Sequence, residues 1–68
     1  MILDQVEIED RPHYHEMAKW CNENIGNMAM WKDNVNEYNP WAYDYLFRTG
    51  IYYFAREEDA MLFRLKWL

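Results

Sequence analysis

Between Trp41 and Phe54 the chain reads WAYDYLFRTGIYYF, and this stretch limits the possible folds more than any other. Trp41, Tyr43, Tyr45 and Phe47 alternate with Ala42, Asp44, Leu46 and Arg48. Period-two alternation of aromatic residues is the pattern of a strand with one covered face. Asn39-Pro40 ahead of the run and Gly50 behind it also fit a short capped helix, and that alternative stays open. The alternation favours a β-hairpin, with strands over about 42–48 and 51–55. Thr49-Gly50 would form the two-residue turn, with glycine at the position that needs positive φ.

A hairpin alone is marginal in water, so the rest of the chain must cover it. In MILDQVEIED, Ile2, Val6 and Ile8 lie on one side and Leu3, Gln5 and Glu7 on the other, which reads as a half-buried strand. Pro12 suits the first turn of a helix, with Asp10 as its candidate cap. From Pro12 to Ile25 the apolar residues Tyr14, Met17, Ala18, Cys21 and Ile25 fall on one helical face, and Gly26 is placed to stop the helix. NMAMWKDNVNEYNPW, from Asn27, reads as irregular, with Met28, Met30 and Trp31 forming a short strand or an anchored turn. EEDAMLFRLKWL reads as a second helix. Glu57, Glu58 and Asp59 sit in its first turn and Arg64 and Lys66 near its end, as the helix dipole favours. Its core face is expected to use Ala60, Phe63, Leu65 and Trp67, with Met61 and Leu62 widening it.

The order is strand, helix, strand, strand, helix. The expected fold is a small two-layer α+β domain, βαββα. Two helices cover one face of a three-stranded mixed sheet, like a ferredoxin-like fold lacking its fourth strand. A β–α–β crossover would place the first strand beside the last and parallel to it. Open sheet edges invite a homodimer or an added strand from a partner. All 68 residues fit one domain. Four Trp, six Tyr and three Phe supply much of the core, and thin layers leave some of these rings over for a partner surface.

The net charge of −5 argues against nucleic-acid binding and against an anionic membrane surface. Cys21 is the sole cysteine, which excludes an internal disulfide and suits a reducing compartment. The N-terminus lacks a basic, then apolar, leader pattern, and no segment is long and apolar enough to span a membrane. His13 and His15, two apart on a helix, chelate a metal poorly, and Cys21 lies off their face. The carboxylates Asp4, Glu7, Glu9 and Asp10, and Glu57 to Asp59, read as solvated surface or as a face for basic groups. The aromatic row with Tyr53 could stack bases but lacks a basic surround. The chain has no serine nucleophile and no Gly-rich phosphate loop. These features point to no enzyme and no cofactor.

Phe54, Glu57-Glu58-Asp59-Ala60, Phe63, Leu65 and Trp67 form an F-x-x-E-E-D-A-x-x-F-x-L-x-W pattern, preceded by an aromatic strand. With the EMAKWC stretch from Glu16 to Cys21, it resembles small proteins of large tailed bacteriophages, notably those of marine bacteria and cyanobacteria. The resemblance covers both helices and the last strand but not Asn27 to Asn39. It implies a phage-infected bacterial cytoplasm, or alternatively the virion, and carries no activity. The function expected is a non-enzymatic accessory role, binding a host or phage protein through an acidic and aromatic surface. The alternative is a minor virion or assembly protein. The residues expected to make the contact are Trp31, Tyr38, Trp41, Glu57 and Glu58.

Overall fold

The computed structural model describes residues 3–9 and 14–68. Its elements are β1 (Asp4–Glu9), α1 (Tyr14–Asn24), a 3-10 turn at Lys32–Asn34, β2 (Trp41–Leu46), β3 (Thr49–Phe54) and α2 (Glu57–Trp67). The α+β class and the order βαββα are as the sequence implies. Ile2 and the proposed cap at Asp10 and Pro12 lie outside the described residues.

The hairpin forms, with its turn earlier than expected. β2 ends at Leu46 and β3 begins at Thr49, so Phe47 and Arg48 make the two-residue loop. Both have positive φ, 49° and 66°, the pattern of a type I′ turn. Gly50 instead lies within β3, opposite Tyr45 on one side and Ile8 on the other. The register accounts for the difference. It sets Trp41 opposite Phe54 and Tyr43 opposite Tyr52, which brings the largest side chain of β2 into the core. A turn at Thr49-Gly50 would leave Trp41 beyond the end of β3.

The strand order is β1-β3-β2, and both pairings are antiparallel. The mixed sheet expected from the sequence is therefore corrected. β1 does lie beside the last strand, but antiparallel to it. The crossover through α1 makes β1 parallel to β2, and β3 inserts between them. This split β-α-β arrangement is the part of the ferredoxin-like pattern that the chain carries.

Both helices cover the same face of the sheet. Met17 and Cys21 of α1 and Ala60 and Phe63 of α2 pack in one cluster with Val6, Trp41, Tyr52 and Phe54. Tyr52 is its hub. Its ring lies 4.6 Å from Phe63 and 4.9 Å from Tyr43, and its hydroxyl is 3.5 Å from the Met17 sulfur. The helix α1 closes where the Cys21 carbonyl accepts from both Ile25 and Gly26. At α2, Arg56 caps the helix through its carbonyl, which accepts from the N–H groups of Asp59 and Ala60, and its Nε sits 3.0 Å from the buried carboxylate of Asp59.

The opposite face of the sheet is covered in part by the irregular segment. Ala29 and Val35 are buried there against Ala42 and Tyr53. The two-layer expectation is thus incomplete, because this segment forms a partial third layer.

Candidate interaction surface

The segment between α1 and β2 is pinned at several points. The Ala29 N–H donates to the Trp41 carbonyl at 2.7 Å, and Met28 bridges Trp41 in parallel. Asn34 donates to the Trp31 carbonyl at 2.9 Å. The Asn36 side-chain oxygen accepts from the backbone N–H groups of Tyr38 and Asn39, an Asx turn that fixes the exit toward Pro40. The Lys32 ammonium sits 5.7 Å from the centre of the Tyr53 ring.

The buried Ala29 and Val35 therefore hold a framework from which their neighbours project. Trp31 is 69% exposed, Tyr38 is 83% exposed, and Met30 is exposed beside them. Asp33 and Glu37 are exposed on the same short segment. Large apolar rings held outward by an ordered backbone lose little freedom on docking, which favours binding. Exposed apolar side chains on a segment that also carries two carboxylates suit a partner whose apolar pocket is rimmed by Lys or Arg.

The structure separates the residues singled out from the sequence. Trp31 and Tyr38 share the loop layer. Trp41 is fully buried and so is not at a contact surface; its indole N–H donates to the Gly26 carbonyl at 2.8 Å. Glu57 and Glu58 are exposed, but they start α2, whose core face packs on the other side of the sheet. The five residues do not form one constellation.

Three exposed features were missed. Met30 joins Trp31. Tyr45, Leu46 and Phe47 crowd the hairpin tip, with Phe47 90% exposed. Along α2 and at its C-cap, Met61, Leu62, Leu65 and Leu68 are exposed, so Leu65 does not lie on the core face expected for it. The signal was present in α2: its apolar residues are too many and too evenly spread around the helix to fit one buried stripe.

At the hairpin tip a depression of about 270 Å³ is lined by Glu9, Phe47, Arg48 and Thr49. Among the described residues no group of three or more His, Cys, Asp or Glu is placed to hold a metal ion. His15 is exposed on α1 and its ring lies 5.4 Å from that of Tyr14, while His13 falls outside the described residues. Cys21 is buried in the core, and burial, aided by the Asp59 carboxylate, pushes its thiol up to about 12. Such a thiol is not a nucleophile at neutral pH. No described helix is long and apolar enough to cross a membrane. Neither family models, nor curated proteins, nor solved structures give a match to this chain.

Proposed function

We propose that the chain is a small non-enzymatic accessory protein of a tailed phage that acts by binding another protein, of host or phage origin, in the infected bacterial cytoplasm. The observation that carries this reading is the ordered loop layer that holds Trp31 and Tyr38 outward among Asp33 and Glu37. Exposed aromatic clusters of this kind mark partner surfaces, and aromatic residues are the usual anchors of an interface. The exposed Asp33 and Glu37 favour a basic partner.

The test is a capture experiment from bacterial lysate with two baits, the natural chain and the Trp31→Ala/Tyr38→Ala double variant. The expected result is a protein held by the natural chain, released by salt and lost with the variant. Equal capture by both baits, or no specific capture at micromolar bait, overturns the reading.

A second reading, a minor virion or assembly protein, is favoured by one feature. Exposed apolar side chains occur on two opposite layers, the loop and α2, which suits a chain held between neighbours. Stoichiometric presence in purified particles, by mass spectrometry, supports it over the first.

A further inference from the structure

The helix α2 carries two apolar faces. Ala60 and Phe63 are buried in the core, with Trp67 packed at its edge. Met61, Leu65 and Leu68 follow at i, i+4 and i+7 and make a second stripe pointing away from that core, with Leu62 alongside. Leu65 is 81% exposed and Leu68 72% exposed, and Met61 and Leu62 are each about half exposed. A row of exposed apolar side chains on an ordered helix marks a contact surface.

We propose that a second copy of this chain covers it, with the two α2 helices packed antiparallel about a two-fold axis near Leu62. The charge order along the helix argues for this occupant. Glu58, Leu62 and Lys66 are spaced i, i+4 and i+8, an acid, an apolar residue and a base in one row. Reversing a second copy over the first about Leu62 places Glu58 of each alongside Lys66 of the other. The pair forms twice, as an isologous contact requires. Met61 of one copy then meets the Leu65 region of the other, and the stripe from Met61 to Leu65 is closed on itself, with Leu68 at its margin. The acidic first turn of each helix also lies near the basic last turn of its partner, and the helix dipoles oppose. A parallel arrangement would set Glu58 against Glu58 and Lys66 against Lys66. A standard interface buries roughly 800 Å² per partner, so the stripe must draw in the flanking charged side chains as well, and these are the ones that match.

This contact differs from an added strand at the sheet edge. One edge strand is already engaged, since the Arg64 guanidinium of α2 donates to the β1 carbonyl of Gln5 at 3.1 Å. The proposal also stands apart from the loop-layer reading. Because α2 and the loop cover opposite faces of the sheet, a dimer through α2 leaves two copies of Trp31 and Tyr38 facing outward. It would hold a partner at two points.

Sedimentation velocity over a concentration series tests the proposal on the full chain. The natural chain is expected to pass from monomer to dimer. Leu65→Glu, at a site that contributes little to the core, is expected to stay monomeric with an unchanged circular dichroism spectrum. Glu58→Lys and Lys66→Glu are each expected to weaken association about tenfold, and the double exchange to restore it. A natural chain that is monomeric at hundreds of micromolar overturns the proposal. So does a dimer that survives Leu65→Glu, or charge exchanges whose effects add instead of compensating, because either assigns association to another face. Loss of lysate capture with Trp31→Ala/Tyr38→Ala while the dimer persists separates the two surfaces.

Discussion

The indole N–H of Trp41 donates to the carbonyl of Gly26 at 2.8 Å, joining the first residue of β2 to the turn that ends α1. Trp41 is fully buried and its ring lies 6.3 Å from that of Tyr52. It therefore acts as a fold anchor. Trp41→Ala should cost about 3–5 kcal/mol, the usual range for emptying a large aromatic site in a core. Trp41→Phe keeps much of the apolar contact but removes the donor to Gly26, and should cost about 1–3 kcal/mol. Trp31→Ala should change stability by no more than about 0.5 kcal/mol, since its side chain is mostly in water. Urea unfolding of the three variants checks the order. A near-neutral Trp41→Ala would refute it.

Gly26 belongs to the same node. Its φ is +146°, and a Cβ placed there would lie 2.8 Å from Cγ and 3.0 Å from Cδ of Pro40. An L side chain is strained in that backbone region whatever space surrounds it, and here the space is also filled. Gly26→Ala should destabilise the fold by about 1–3 kcal/mol. In a domain of this size each kcal/mol lowers the melting temperature by about 4–8 °C. A thermal scan showing no loss would mean that the turn opens at little cost.

Element identity was legible in the sequence because it rests on local periodicity. Val6 and Ile8 marked β1, Met17 and Cys21 marked the buried side of α1, and Trp41 and Tyr43 marked the covered side of β2. Strand direction was not legible, because it depends on which strand the crossover reaches, and no local pattern encodes that. The hairpin turn was misplaced for a related reason. Gly50 is the residue best suited to positive φ, yet pairing Trp41 with Phe54 outweighs the cost of placing Phe47 and Arg48 there. On the candidate surface, the exposure of Trp31 and Tyr38 was legible from their irregular, polar surroundings. Trp41 was expected both in the covered aromatic row and at a partner contact, and its complete burial leaves only the first.

The turn itself yields a prediction. Phe47 and Arg48 hold positive φ without being Gly, Asn or Asp. Left-handed backbone costs an ordinary residue roughly 1–2 kcal/mol. Replacing the pair with Asn-Gly, the favoured sequence for a type I′ turn, should stabilise the hairpin by about 1–2 kcal/mol. Because Phe47 is almost wholly exposed, little contact is lost in exchange. The measurement is the urea midpoint of Phe47→Asn/Arg48→Gly. A lower midpoint would show that the Phe47 and Arg48 side chains stabilise the tip by more than their backbone strain costs.

Cys21 gives the chain a defined alkaline weakness. Burial first, and the Asp59 carboxylate second, raise its thiol from 9.0 to about 12 in the folded protein. Below pH 9 folded and unfolded chains both hold the proton, and the thiol adds no pH dependence. Above that value the unfolded chain releases the proton while the folded chain retains it. Stability therefore falls as the pH rises from 9.0 toward about 12. The limiting slope is about 1.4 kcal/mol per pH unit. The informative quantity is the difference between the natural chain and Cys21→Ala, in which the contributions of all other groups cancel. The variant should be less stable near neutrality, because it leaves a small cavity, yet lose stability less steeply as the pH rises from 9.0 toward about 12. Iodoacetamide near neutral pH provides an independent check. It should leave the folded thiol unmodified and label it once urea opens the core. Parallel pH slopes for the two proteins, or rapid labelling of the folded chain, would show that the thiol is not held protonated by the core.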